Sequence, residues 1–282
     1  MARIGIVLSG GMSRGAYEIG CVKAIEERFG RENICCVSAS SVGVLCGYAD
    51  VTDKMDELVE VWKQLDRLGQ GNTFVGLTKS PELIARARAM ATKEDEFSCP
   101  IYATIWNFTK RTAEYIPLNE MDFKKRVDYL QASIAVPVIT KSVKIGGDIC
   151  MDGAFIDNIP VYPLLDKDLD YIFCIYFEEK NYIFENSEFN SKVIKLNRFP
   201  SKGRLDLFVY DSEAVDDMIQ YGYDYAKRIM DMVFATEDDK ETKRRIAELS
   251  ARMPQPQKRI TTDFVLNNIA KAVARLSKRK IL

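Results

Sequence analysis

The chain alternates short apolar runs with stretches in which apolar residues recur at helical spacing. The runs at 4–8 and 34–37 predict buried strands, and the stretches at 15–29 and 42–49 predict the helices that follow them. The same patterns predict further helices at 55–65, from 81, at 122–135 and from about 213, and further strands at 100–107, 112–117, 143–145, 149–151, 171–177 and 192–196.

The order of these elements predicts the architecture. Strands and helices that alternate over short loops favour a mainly parallel sheet with helices on both faces, which is a three-layer α/β fold. From about residue 213 the pattern is helical, without a strand-like run of comparable length. We therefore predict an α/β domain over 1–200 and a mainly helical C-terminal extension over 201–282 that packs on it.

Composition excludes several classes of protein. The 282 residues are 47% hydrophobic and 29% charged, as in ordinary globular domains. Forty basic and forty-one acidic residues give a net charge of −1, which predicts no affinity of the whole chain for nucleic acid. The chain contains no histidine, so it cannot use a Ser-His-Asp or Cys-His mechanism, and it cannot build histidine-ligated zinc, iron or haem sites.

Cysteine usage and the lengths of the apolar runs predict a cytoplasmic protein. The seven cysteines are odd in number, irregularly spaced and without a CxxC pair, which favours a reducing compartment over a metal or redox motif. The first apolar run is too short for a secretory signal. No run approaches the roughly 18 apolar residues of a membrane span.

Charge is concentrated at the C-terminus. Residues 243–282 carry eleven Lys or Arg against Glu248 and Asp263, which leaves the rest of the chain net acidic. One interpretation is a segment that contacts an anionic surface, such as a membrane, and makes the protein membrane-peripheral. The other is a solvated helical face that balances an acidic body.

A glycine-rich segment, Ser9-Gly10-Gly11-Met12-Ser13-Arg14-Gly15, joins the first predicted strand to the first helix. Glycines allow a tight turn whose N–H groups converge beside a helix N-terminus, and such a concavity binds a phosphate or a developing oxyanion. A dinucleotide-binding turn would need glycine where Met12 stands and a carboxylate at the end of the second strand. That strand ends in serines, and the chain lacks the lysine of a P-loop, so nucleotide binding is disfavoured.

A second segment, Ala39-Ser40-Ser41-Val42-Gly43, lies at the next turn from strand to helix. It is a G-x-S-x-G nucleophile elbow with alanine in place of the first glycine, and small residues flank the serine because strand and helix converge there. Ser41 would be exposed at the turn, near the positive end of the following helix dipole. The alternative is that Ser41 is a simple helix N-cap.

A third segment, Asp152-Gly153-Ala154, follows a predicted strand. An aspartate there can be a turn residue that bonds its own backbone. It can also be the base that a serine nucleophile requires, because without histidine the candidates are Asp, Glu, Lys and Tyr. Partial burial raises the proton affinity of a carboxylate and suits it to this role.

Taken in this order, the three segments resemble the patatin-like phospholipase family, which has a GGGxRG oxyanion loop, a GxSxG elbow and a DGG or DGA motif. The likeness spans about residues 3–165. It implies a patatin-like fold in which Ser41 attacks an ester carbonyl and Asp152 takes its proton. The oxyanion hole would be formed by the amides of Gly10, Gly11 and Met12, and the supporting residues would be Arg14, Gly15, Gly43 and Gly153.

The resemblance implies a serine hydrolase without cofactor or metal, acting on lipid or acyl esters as a phospholipase A, lysophospholipase or esterase. Met12 and Ala39 stand where the family pattern has glycine. These departures motivate an alternative, a patatin-like protein with weak catalysis that binds lipid or acyl ligands. The sequence carries no signal of oligomeric state.

Overall fold

The computed structural model describes residues 2–11, 14–69, 81–137, 140–198 and 212–258. Ten strands are assigned within these ranges, and each predicted strand is confirmed to within a few residues. They are β1 Ile4–Leu8, β2 Ile34–Ser40, β3 Ile101–Asn107, β4 Thr112–Pro117, β5 Val143–Ile145, β6 Asp148–Asp152, β7 Tyr171–Ile175, β8 Tyr182–Ile183, β9 Val193–Leu196 and β10 Gln257–Lys258.

The predicted helices are confirmed as well, together with a short one, α6, that the pattern missed. The helices are α1 Gly15–Phe29, α2 Val42–Val51, α3 Met55–Gly69, α4 Pro81–Ala89, α5 Phe123–Ser133, α6 Ser187–Lys192, α7 Ser212–Val233 and α8 Asp239–Ala251. None of the helices in the described ranges is both long enough and apolar enough to cross a bilayer.

The main sheet follows the order β5-β6-β3-β2-β1-β7-β9, with β4 also paired to β3. The five strands from β3 to β9 along this path are mutually parallel. Strands β4, β5 and β6 pair antiparallel. The predicted three-layer α/β fold with a mainly parallel sheet is therefore confirmed.

Two strands meet end to end on one edge of β3. Strand β4 pairs with β3 over 102–107 and so occupies the other edge. Strand β2 pairs with β3 over 101–104, and β6 pairs with it over 105–107, so these two share the remaining edge. Because β2 runs parallel to β3 and β6 runs antiparallel, their C-terminal ends converge. This convergence brings Ser41, directly after β2, beside Asp152, the last residue of β6.

Each face of the sheet is covered by a core of its own. In β1, Ile6 and Leu8 belong to the main core beneath α1, α2, α5 and α7. Val7 alternates to the other face, where a smaller core includes Phe189 of α6. Burial on both faces explains why these strands are continuous apolar runs.

Helix α7 lies in backbone contact with α1. A Cβ at Gly20 would lie 1.9 Å from the carbonyl oxygen of Ile219, and one at Gly222 would lie 2.2 Å from that of Tyr17. Helix α7 thus packs directly on the first helix after the glycine loop. The division into domains at residue 200 stays a prediction.

Candidate active site

Ser41 lies in a strained turn between β2 and α2. Its φ is 54° and its ψ is −130°, outside the regions that residues with a side chain normally adopt. Backbone strain of this kind costs about 1–3 kcal/mol and is typical of functional sites. The Ser41 side chain makes no capping hydrogen bond to α2, so the N-cap alternative does not account for it.

Gly43 permits the close approach that this turn requires. A Cβ at Gly43 would lie 2.8 Å from the carbonyl oxygen of Ser9 and 2.9 Å from that of Leu8. Ala39, two residues before Ser41, pairs with Leu8 and Ala103 and is fully buried in the main core. The elbow therefore accommodates a methyl group at position 39, whereas position 43 has no room for one.

The hydroxyl of Ser41 donates a hydrogen bond of 2.6 Å to Oδ2 of Asp152. The other carboxylate oxygen, Oδ1, accepts a 2.9 Å hydrogen bond from the N–H of Ala154. Both side chains are buried, and Asp152 is only 1% exposed. A candidate nucleophile and a candidate base are thus within direct hydrogen-bond reach.

Burial changes the proton affinity of Asp152. It raises the pKa of this carboxyl from 3.8 to about 7, against the opposing effect of the hydrogen bonds from Ser41 and Ala154. No cation of the described residues forms a salt bridge with it. A carboxylate with a pKa near neutrality accepts a proton far more readily than an ordinary aspartate.

Gly10 is enclosed on two sides. A Cβ there would lie 2.7 Å from Cβ of Ser41 and 2.8 Å from Oδ1 of Asn158. The N–H of Gly10 donates to that Oδ1 at 2.8 Å, and Nδ2 of Asn158 donates to the carbonyl oxygen of Gly10 at 3.3 Å. The glycine loop therefore passes directly beside Ser41, and the amide of Gly10 is already engaged.

Phe177 supports the next part of the loop. A Cβ at Gly11 would lie 2.2 Å from the Phe177 ring. The Arg14 guanidinium lies over the same ring, 5.4 Å from its centroid. The N–H of Gly11 has no acceptor among the described residues. Met12, the third predicted oxyanion residue, lies outside those residues.

Gly15 and Gly153 fill tight positions at the margins of the site. A Cβ at Gly15 would lie 2.7 Å from the Trp62 ring, and one at Gly153 would lie 2.3 Å from the carbonyl oxygen of Thr104. Gly15 thus lets α1 begin against α3, and Gly153 lets the chain after Asp152 turn against β3.

Sequence reasoning missed two residues that contact the glycine loop. Asn158 and Phe177 lie 148 and 166 positions from the glycines that they touch, a separation that no local pattern bridges. For Asn158 the available signal was the Asn158-Ile159-Pro160-Val161 run after Asp152, which resembles the family pattern at that place. Phe177 offered none, since it reads as the last residue of an ordinary apolar strand.

A family model described as patatin-like phospholipase matches residues 6–165. A lysophospholipase NTE1 from Cryptococcus neoformans is 28% identical over 180 residues, which is 59% of this chain and 11% of that protein. An uncharacterised NTE family protein of Mycobacterium bovis is 21% identical over 176 residues, 60% of this chain and 47% of its own length. The chain thus spans between about a tenth and a half of the length of these relatives.

Among solved structures, VipD from Legionella pneumophila aligns over 99% of this chain and 76% of its own, with a TM-score of 0.46 and 12% identity. The ExoU-SpcU complex of Pseudomonas aeruginosa aligns over 98% and 61%, with a TM-score of 0.42 and 15% identity. The family model covers more than half of the chain and includes all three of its motif segments. The chain belongs to the patatin-like phospholipase family.

Proposed function

We propose that this chain is a serine hydrolase that cleaves acyl esters of lipids, of the phospholipase A, lysophospholipase or esterase type. The observation that carries the proposal is the 2.6 Å hydrogen bond from the strained, buried Ser41 to Asp152. The family and the lysophospholipase relatives support a lipid ester as the substrate class.

In the first half-reaction, Oγ of Ser41 attacks the ester carbonyl carbon while its proton passes to Oδ2 of Asp152. The carbonyl oxygen becomes an oxyanion, which backbone N–H donors of the glycine loop stabilise. When the tetrahedral intermediate collapses, the bond from carbon to the leaving oxygen breaks. That oxygen takes the proton from Asp152 and departs as an alcohol or lysolipid, leaving an acyl group on Ser41.

In the second half-reaction, Asp152 takes a proton from water as the water oxygen attacks the acyl-enzyme. Collapse of this second intermediate breaks the bond to Oγ of Ser41, which recovers its proton from Asp152 as the fatty acid leaves. The one aspartate serves as base and then as acid in each half, which a pKa of about 7 suits.

Labelling with a fluorophosphonate probe, located by peptide mass spectrometry, tests the proposal. We expect the label on Ser41 in the wild type, none there in Ser41→Ala, and a large loss in Asp152→Asn. Ser40→Ala is the matched control, because Ser40 is the adjacent buried serine and its hydroxyl has no partner among the described residues. Folded wild-type protein that takes no label at Ser41 contradicts the proposal.

The second candidate is a patatin-like protein that binds lipid or acyl ligands with weak turnover. It is favoured by the engagement of the Gly10 amide, which removes one donor from the predicted oxyanion hole. Hydrolysis of acyl esters by the unlabelled wild-type protein distinguishes the two. A protein that binds a fatty-acid analogue equally well as wild type and as Ser41→Ala, without measurable turnover, belongs to the second class.

We further propose that the basic C-terminal segment makes peripheral contact with an anionic membrane. Residues 259–282 of this segment lie outside the described residues. Co-sedimentation with vesicles of phosphatidylserine and phosphatidylcholine tests the contact. Substituting Lys278, Arg279 and Lys280 by glutamine should weaken binding to the anionic vesicles, and unchanged binding removes the segment from the proposal.

A further inference from the structure

Asn158 forms a two-point clamp on the backbone of Gly10. Its Oδ1 accepts the N–H of Gly10 at 2.8 Å, and its Nδ2 donates to the carbonyl oxygen of the same residue at 3.3 Å. Both polar groups of one peptide residue are thereby held by a single side chain. A planar carboxamide that makes two hydrogen bonds fixes the orientation of its partner as well as its position.

The clamp changes which amides of the loop can stabilise an oxyanion. A backbone N–H is a single donor, and the one of Gly10 is already used within the protein. The N–H of Gly11 has no acceptor among the described residues. Gly10 packs directly against Ser41. Fixing the Gly10 peptide therefore also fixes the orientation of the Gly11 amide relative to Ser41.

The clamp also links the loop to the base. Asn158 lies six residues after Asp152, in a segment anchored at both ends. At one end Gly153 packs against the backbone of β3. At the other, Asp157 accepts a 2.6 Å hydrogen bond from the hydroxyl of Tyr115 on β4. The segment that carries the base therefore also holds the oxyanion loop at a set distance from Ser41.

We infer that Asn158 is a positioning residue of the reaction, which holds Gly10 so that the amide of Gly11, and not that of Gly10, stabilises the oxyanion. This inference rests on the proposed hydrolase function. A neutral amide suits the position for two reasons. A carboxylate could not donate to the carbonyl oxygen of Gly10, and it would place a negative charge beside the developing oxyanion and near Asp152.

Asn190 provides a matched control within the same chain. Its Oδ1 accepts the N–H of Phe184 at 2.9 Å, and its Nδ2 donates to the carbonyl oxygen of Phe184 at 3.4 Å. This is the same clamp on a backbone residue, placed in α6, which contributes no residue to the candidate site. Nδ2 of Asn190 also donates to the carbonyl oxygen of Asn186. Asn190→Ala therefore reports what the loss of such a clamp, together with this further hydrogen bond, costs in stability.

The experiment measures kcat, KM and the pH profile of p-nitrophenyl butyrate hydrolysis for wild type, Asn158→Ala, Asn158→Asp and Asn190→Ala, with thermal unfolding of each. Removing one oxyanion donor costs about 10²–10³ in kcat, and a displaced loop should cost part of this. We expect kcat of Asn158→Ala to fall about 10- to 100-fold, with KM within about twofold and the acid limb of the profile unmoved.

Asn158→Asp should lose more activity than Asn158→Ala, and its acid limb should move to higher pH, because a second carboxylate raises the pKa of Asp152. Asn190→Ala should unfold at lower temperature and keep the wild-type kcat. If Asn158→Ala is unstable, the isosteric Asn158→Asp decides the matter. Wild-type kcat in both Asn158 variants overturns the inference and leaves Asn158 a structural residue.

Failure of the proposed function gives a different result. In that case wild-type protein takes no fluorophosphonate label at Ser41 and hydrolyses no ester. Labelled, active wild type with undiminished Asn158 variants therefore rejects the positioning role alone.

Discussion

Two carboxylates with buried side chains in this molecule have pKa values that are shifted in opposite directions. The Asp152 side chain at the candidate site and the Asp95 side chain in the segment after α4 are both about 1% exposed. Burial raises the pKa of Asp152 to about 7. Burial also tends to raise the pKa of Asp95, but hydrogen bonds from Lys54, Thr92 and Tyr48 outweigh it and lower that pKa to about 2.

The two carboxylates differ in their hydrogen-bond and charge partners. Asp152 has a hydroxyl and one backbone N–H as donors. Asp95 forms a salt bridge with Lys54, and the guanidinium of Arg126 lies 3.8 Å away. A buried carboxylate with a cation is held ionised, whereas one with neutral donors alone retains its affinity for a proton. Asp95 is thereby suited to hold the fold together and Asp152 to move a proton.

The two groups also have opposite effects on stability. The pKa of Asp152 is raised on folding, so its contribution is complete below pH of about 4 and is lost as the pH rises through about 7. A pKa of about 7 in place of 3.8 corresponds to about 4 kcal/mol of destabilisation above pH 7. The pKa of Asp95 is lowered, so its contribution is complete above pH of about 4 and is lost as the pH falls through about 2.

Asp152→Asn should produce the largest effect and separate activity from stability. We expect kcat to fall about 10⁴-fold, because the amide cannot take the proton of Ser41. Stability should move the other way, with the free energy of unfolding at pH 8.5 rising by about 2 kcal/mol, since the buried charge is gone. Urea unfolding at pH 8.5 and pH 4 checks this, and the gain should vanish at pH 4. A loss of stability at pH 8.5 would show that Asp152 is a structural carboxylate like Asp95.

The pH dependence of kcat should reflect Asp152 directly. The base must be ionised, so kcat should rise about tenfold per pH unit below pH 7 and level off above it, giving about a 100-fold range from pH 5 to the plateau. Initial rates on a soluble acyl ester between pH 5 and 9 measure this. An acid limb near pH 4 would mean that Asp152 has an ordinary acidity, and the contrast with Asp95 would then lose its basis.

The sequence predicts one member of this comparison and not the other. Asp152 could be found because it stands in a motif, at the end of an apolar run, in a chain that has no histidine to act as the base for a serine. Asp95 stands in Lys-Glu-Asp-Glu, which reads as a solvated charge run. Its role depends on Tyr48 and Lys54, more than forty residues away, and on a helix packing that no local spacing reveals.

The same limit applies to the rest of the molecule. Strand and helix positions follow from local periodicity, and the long elements were predicted to within a few residues. The two-residue strands β8 and β10 and the six-residue α6 were missed, because elements of that length have too few positions to show a period. The shared edge of β3, which brings Ser41 to Asp152, is a property of sheet register and has no signature in the sequence.

Asp95→Asn should destabilise the protein without affecting the chemistry. Removing the charge leaves the partly buried Lys54 ammonium without its counter-ion, at a cost of about 3 kcal/mol. The kcat of the folded fraction should stay within about twofold of wild type. Urea unfolding at pH 7, with active-site titration by the fluorophosphonate probe to count folded molecules, measures both quantities. A fall in kcat, calculated per active site counted by the titration, would mean that the Asp95 network also supports the site.

Deleting a single hydroxyl from each carboxylate tests whether the number of partners decides the outcome. Ser41 donates to Asp152 and Tyr48 donates to Asp95, so Ser41→Ala and Tyr48→Phe are a matched pair. Tyr48→Phe should cost about 1–2 kcal/mol, because Lys54 and Thr92 still hold Asp95 ionised. Ser41→Ala should raise the pKa of Asp152 further, because one of its two hydrogen-bond donors is lost.

Unfolding free energies between pH 2 and 9 report both changes. The destabilisation by Tyr48→Phe should shrink toward pH 2, where Asp95 is protonated, whereas Ser41→Ala should act mainly above pH 7. If both variants show the same pH dependence, a cation is not what distinguishes the two carboxylates.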